Sequence, residues 1–198
     1  VEGLRYGSRQ AGSDAFLREL AALIARRCPG EAPARAEDGL LLTNGVSHGL
    51  HLALSVLARP GDAILVEAPS YFLALGIFES HGLEVVPVPT DEEGLRVDEA
   101  AAVLARRAPD RPPVRFVYTV PSGHNPTGSC LPAGRRRQLV RLAREHGLLV
   151  LADEVYHMLE WHPEGERPPR MACFDEAYLR RGPAPESGAD PADGACYG

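Results

Sequence analysis

Two apolar runs joined by a helix-length segment set the frame for this chain. Val114 to Val120 is an apolar run that stops at Pro121. A polar loop holding Asn125-Pro126-Thr127-Gly128 follows, then a helix-period segment from about Pro132 to His146. A second apolar run, Leu148 to Ala152, ends at Asp153. This pattern is a β-α-β unit, and such units build parallel sheets. Asn125 follows the first strand and Asp153 closes the second. Both therefore fall at the carboxyl edge of a doubly wound sheet, where ligands bind.

The same alternation runs upstream. Ser13 or Asp14 is placed to cap a helix with an apolar face of Phe16, Leu20, Leu23 and Ile24. Gly39 to Thr43 reads as the first strand. Asn44-Gly45-Val46-Ser47 then turns into a helix ending near Ala58, with Val46, Leu50, Ala53, Leu54 and Leu57 as its buried face. A glycine-bearing loop at a helix N-terminus is an anion site, because free amides and the dipole both point at it. Ala63 to Val66 is a strand, and Glu67-Ala68-Pro69-Ser70-Tyr71 leads into a helix, with Pro69 suited to its first turn. Leu83 to Val88 is a further strand, which Pro87 and Pro89 place at an edge or a strand end. Asp98 is placed to cap a helix reaching about Arg107, and Arg135-Arg136-Arg137 reads as a solvated helix face. The expected fold is a three-layer α/β/α domain with a mainly parallel sheet. Val46/Ser47, Tyr71, Asn125 and Asp153 all follow strands, so they converge on one edge.

With 198 residues, 44% of them apolar and 24% charged, the chain is long enough for one domain with a real core. A net charge of −6 argues against nucleic acid as a partner. Cys28, Cys130, Cys173 and Cys196 are scattered, which favours reduced thiols over a disulfide frame or a metal site. No signal-peptide pattern and no membrane-length apolar run are present, so a cytoplasmic protein is the simple expectation. The chain starts at Val1, so any targeting segment ahead of it is not read.

The segments NPTG (125–128) and ADEVY (152–156), one helix and one strand apart, resemble those of the class I/II, fold-type I pyridoxal-phosphate (PLP) aminotransferases. The resemblance runs from about Leu4 to Tyr178. It implies that Asp153 partners the pyridine nitrogen of PLP, whose power as an electron sink depends on protonation there. It implies that Asn125 and Tyr156 bond the ring 3-oxygen and that Tyr71 stacks on the ring. It implies that Val46 and Ser47 hold the phosphate. Tyr6, in a segment similar to the family's YG motif, corresponds to a tyrosine that reaches the phosphate of the neighbouring subunit, which implies a homodimer.

One compositional fact stands against an intact enzyme. All 21 basic residues are arginine; the chain has no lysine. The family holds PLP as a Schiff base on a lysine, and arginine cannot replace it because its guanidinium stays protonated. No catalytic residue is therefore assigned. Residues 179–198, rich in Gly, Pro, Ala and Asp, read as a disordered or aberrant tail where the family would continue into a strand and a lysine-bearing turn. The expected organisation is an N-terminal segment and helix over 1–30, an incomplete PLP-binding large domain over 31–178 and the tail over 179–198. A truncated or mis-spliced record fits this pattern, and the strand at 39–43 is expected to lack its neighbours.

The resemblance implies an amino-group transfer between an amino acid and a 2-oxo acid, in the branch with 2-aminoadipate, kynurenine and valine–pyruvate aminotransferases. The alternative is a non-catalytic relic that binds the cofactor without a covalent bond, or binds a full-length paralogue.

Overall fold

The structure is a computed structural model that describes residues 12–28, 39–159 and 168–175. Its elements in order are α1 (Asp14–Arg27), α2 (Gly45–Leu57), β1 (Ala63–Ala68), α3 (Phe72–Ser80), β2 (Glu84–Asp91), β3 (Gly94–Leu95), α4 (Val97–Arg106), β4 (Val114–Thr119), α5 (Ala133–His146) and β5 (Leu149–Ala152). A 3-10 turn, His157–Leu159, follows β5.

The strands form one five-stranded sheet in the order β3-β2-β1-β4-β5. The pairs β1·β2, β1·β4 and β4·β5 are parallel, and only the two-residue β3 runs antiparallel, against Thr90 and Asp91. β1 is buried along its length, as a central parallel strand covered on both faces must be. Side chains alternate across the sheet with period two. Ile64, Val66, Phe116 and Tyr118 pack on one face with Leu54 of α2 and Ala74, Ile77 and Phe78 of α3. Leu65, Val88 and Val117 pack on the other with Val97 and Ala100 of α4 and Leu139, Val140 and Leu142 of α5. The expected three layers are present. Truncating a residue such as Leu65 in this core would cost about 2–5 kcal/mol.

The order also fixes where a ligand fits. From β1 the chain moves outward to β2, then returns to lay β4 on the other side of β1. The direction reverses between β1 and β4, and crevices open at the carboxyl ends of strands that part in this way.

Several local expectations change. Residues 39–43 form no strand among the described residues. Leu42 lies against Gly12, just ahead of α1, where a Cβ would come within 2.5 Å of its side chain. A segment becomes a strand only with a partner, and among the described residues no strand pairs with it. In α1 the buried positions are Leu17 and Ile24, and Phe16 faces outward. In α2 only Leu54 is fully buried, and Leu57 is exposed. Pro69 lies ahead of α3 rather than in its first turn, with Tyr71 at the N-cap. Asp98 sits inside the first turn of α4, behind the Arg96 N-cap. Arg135-Arg136-Arg137 is not a solvated face. Arg136 is fully buried, and Arg135 pairs with Asp91 and Glu93. Pro87 and Pro89 do lie on a strand whose outer side is unpaired until Thr90.

Helix α5 ends at Gly147, whose φ of +64° is the left-handed conformation that glycine adopts without strain. The Leu148 amide then donates to the Ala143 carbonyl at 2.8 Å, which turns the chain sharply into β5.

Candidate cofactor site

An open cleft of about 370 Å³ lies at the carboxyl edge of the sheet. It is lined by Val46 and Ser47 at the start of α2, Tyr71 after β1, Asn125 after β4, and Asp153 and Tyr156 after β5. Asn44, Gly45, Val120 and Val155 complete the wall. Six of the seven residues singled out in the sequence therefore share one cleft. The seventh, Tyr6, lies outside the described residues, as does the 179–198 tail.

Each wall has a local cause. The first turn of α2 has amides with no carbonyl one turn back inside the helix, and these border the cleft. His48 secures that turn: its Nδ1 accepts the Asn44 amide at 3.0 Å. Gly123 adopts a φ of +57°, and a Cβ there would stand 3.4 Å from Cβ of Tyr156. The left-handed φ is what favours glycine at this turn, where the Asn125 loop meets the segment after β5.

Asp153 lies at the floor. Its amide donates to the Thr119 carbonyl at 2.9 Å, which continues the β4·β5 ladder one step past β5. Its Oδ2 accepts the Tyr118 hydroxyl at 2.9 Å. Its Oδ1 is buried without a hydrogen-bond partner. Burial pushes the Asp153 pKa above the usual carboxylate range, although the Tyr118 hydroxyl and the nearby Val155 amide pull the other way. A buried carboxylate oxygen without a hydrogen-bond partner, on a residue that lines a cleft, is an unmet demand for a cation or an N–H group.

The adjacent Glu154 does a different job. Its Oε1 accepts the Met171 amide at 2.7 Å and its Oε2 accepts Arg170 Nε at 2.5 Å. Arg136 Nη1 stands 3.9 Å away. Arg136 itself donates to the carbonyls of Leu131, Pro121 and Pro169 and to the Ser122 hydroxyl. This knot ties the loop after β4 to the loop after β5 and to the short helix at 171–175.

Sequence reasoning missed Tyr118, Glu67, His124 and Arg136. Tyr118 sits in an apolar run, and only the β4·β5 register, Tyr118 opposite Leu151, brings it beside Asp153. The lone glutamate ending an apolar strand was a readable signal for Glu67, since a charge at such a position needs partners. A larger and more open groove, lined by residues 90–92 and 127–129, lies outside this constellation and contains no buried unpartnered side-chain atom. Among the described residues, no cluster of three or more His, Cys, Asp or Glu side chains could hold a metal ion. No described helix is long and apolar enough to cross a membrane. Cys28 and Cys173 are buried and Cys130 is half-buried.

The family profile for aminotransferase class I and II matches residues 3–178. The mitochondrial kynurenine/alpha-aminoadipate aminotransferase of Mus musculus is 32% identical over 141 residues, covering 66% of this chain and 33% of that protein. The 2-aminoadipate transaminase of Thermus thermophilus is 35% identical over 155 residues, covering 73% of this chain and 38% of that protein. An archaeal alanine:glyoxylate aminotransferase superposes with a TM-score of 0.81 at 28% identity, over 89% of this chain and 42% of that one. The chain spans about a third of the length of the curated relatives it matches and about two fifths of the solved structures. A match over residues 3–178, on a sheet of the same topology, means that the chain belongs to the class I and II aminotransferases.

Proposed function

We propose that this chain carries the cofactor-binding half of a PLP-dependent aminotransferase that moves an amino group between an amino acid and a 2-oxo acid. The observation that carries the reading is Asp153 Oδ1, buried and without a donor at the floor of the cleft. Bound PLP would supply an electron sink, whose strength depends on a protonated pyridine nitrogen. Asp153 holds that proton in place, and the positive ring nitrogen offsets the burial that otherwise disfavours the carboxylate. Val46 and Ser47, through the free amides of α2 and the Ser47 hydroxyl, hold the phosphate. Tyr71 covers one face of the ring. Asn125 and Tyr156 donate to the ring 3-oxygen.

The substrates are read from the relatives. The activities for which they are named, on kynurenine, 2-aminoadipate and alanine with glyoxylate, support an amino-acid donor and a 2-oxo-acid acceptor. A homodimer is part of the reading, with Tyr6 of one chain completing the phosphate site of its partner.

The composition favours a second reading for the chain by itself. It contains no lysine, so it has no amine side chain on which to anchor the cofactor. By itself the chain is then a reversible PLP binder and not a transaminase. The test is a PLP titration followed by borohydride reduction and dialysis. Saturable binding that washes out after reduction, and that Asp153→Ala weakens at least tenfold, is the expected result. No saturable binding, or equal binding by Asp153→Ala, would overturn the site assignment.

A further inference from the structure

Beneath the Asn125 loop lies a buried polar pair that the cofactor contacts do not use. Glu67, near the end of β1, is 2% exposed, and so is His124. An unpartnered carboxylate there would be strongly disfavoured. Glu67 Oε1 accepts the Thr119 hydroxyl at 2.8 Å, and Oε2 accepts the Val120 amide at 2.8 Å. His124 Nε2 stands 3.1 Å from Oε2, a close contact without hydrogen-bond geometry. On the other side of the ring, Nδ1 meets Thr127 Oγ1 at 2.8 Å and accepts the Thr127 amide at 3.4 Å. With Nδ1 turned to Thr127, Nε2 is the ring nitrogen on the Glu67 side. The main chain closes the same turn. The His124 amide donates to the Ser129 carbonyl at 2.8 Å, and the Gly128 amide donates to the His124 carbonyl at 2.6 Å.

His124 immediately precedes Asn125, and Glu67 lies four residues before Tyr71. The pair therefore links the segment carrying the ring-stacking residue to the loop carrying the 3-oxygen donor. We propose that Glu67 and His124 form a positioning brace that fixes Asn125 relative to Tyr71 and so sets the hydrogen bond to the cofactor's ring 3-oxygen. The proposal rests on the PLP reading above. Apolar side chains could fill the same volume, but they would not orient the turn; the polar pair does. Both residues act through Asn125, and neither lines the cleft.

The test uses the 198-residue chain with PLP as the probe. Two quantities are read from the cofactor's near-ultraviolet absorption: Kd, and the pH at which the bound ring 3-oxygen takes up a proton. In His124→Leu, Kd is expected to rise at least tenfold. The 3-oxygen is expected to protonate at higher pH, because a donor that favours its anion has been released. His124→Gln keeps an N–H able to reach Glu67 and is expected to stay within threefold of wild type. A folded His124→Leu with Kd within threefold and an unchanged protonation midpoint overturns the brace. So does a His124→Gln as impaired as His124→Leu. If His124→Leu lacks the wild-type far-ultraviolet spectrum, Glu67→Gln is read against the same two criteria. Failure of the wild-type chain to bind PLP overturns the cofactor reading itself. Loss of binding in Asp153→Asn but not in His124→Leu overturns only the brace.

Discussion

The Tyr118 hydroxyl donates to Asp153 Oδ2 at 2.9 Å, so the carboxylate is held from the sheet side while Oδ1 stays buried and unpartnered. Tyr118 is fully buried, and burial together with the neighbouring Asp153 charge pushes its pKa far up. It remains a donor at every working pH. This is a fixed support behind a carboxylate that lines the cleft.

Asp153→Asn is expected to stabilise the chain without ligand by about 0.5–2 kcal/mol at neutral pH, because it removes a buried charge that burial disfavours. The sign follows from the raised pKa of Asp153. A carboxyl whose folded pKa lies above its unfolded value favours folding at low pH, where it is neutral in both states, and this contribution is lost as pH rises through the folded value. The gain from Asn therefore shrinks on acidification. Thermal melts of both proteins at neutral and acid pH check it. A melting-point difference that stays constant or grows in acid would contradict the assignment.

Tyr118→Phe deletes one hydroxyl and leaves Asp153 Oδ2 without its donor. The expected loss is about 1–3 kcal/mol, since a buried acceptor is left unsatisfied while packing against Phe78 is kept. Urea unfolding measures it. The Asp153→Asn,Tyr118→Phe double variant should lose less than the sum of its parts, because the two share one interaction.

Glu84, at the start of β2, accepts Arg107 Nη2 at 2.7 Å and Arg111 Nη2 at 2.5 Å. Burial pushes its pKa up, but the two guanidinium groups more than offset this and hold it below the usual glutamate range. A lowered folded pKa stabilises the fold above the unfolded value and ceases to do so as pH falls through the folded one. Glu84→Gln is expected to lose about 0.5–1 kcal/mol near pH 7, the modest value of a partly exposed pair, and nothing in strong acid. Unfolding midpoints across the acid range test this; a deficit that persists at the acid end would assign the loss to packing instead of charge.

The fold was legible wherever periodicity carried the information. Strands β1, β4 and β5 and helices α2 and α5 lie within a residue or two of their expected limits, because apolar runs and helical spacing are local. Tyr71, Asn125, Asp153 and Tyr156 were legible as a set because each follows a strand or lies in the segment after one, and a parallel sheet brings such ends together; Val46 and Ser47 join them from the first turn of α2, although the stretch before it forms no strand. What stayed hidden depends on register or on partners far away in sequence. Tyr118 looks apolar until β5 is laid beside β4. The segment 39–43 has strand composition, but a strand needs a neighbour. Arg136 looks like part of a basic surface until the loops before and after it wrap its guanidinium in carbonyls.

Arg136 gives the sharpest contrast with its own neighbour. It is fully buried and donates to Leu131, Pro121 and Pro169 carbonyls and to Ser122, with Glu154 near Nη1. Arg136→Met removes the cation but leaves Glu154 buried, so a loss of about 3–5 kcal/mol is expected, the range for breaking a buried charged network from one side. Arg136→Lys should recover little of it, because one ammonium cannot serve carbonyls that a planar five-donor fork reaches together. Arg135→Ala, one residue earlier, removes only partly exposed pairs with Asp91 and Glu93 and is expected to lose about 1 kcal/mol or less. Urea midpoints of the three variants decide the matter. If Arg135→Ala proved as damaging as Arg136→Met, the buried guanidinium would not be what joins the loops after β4 and β5, and the cleft between those loops would owe its shape to something else.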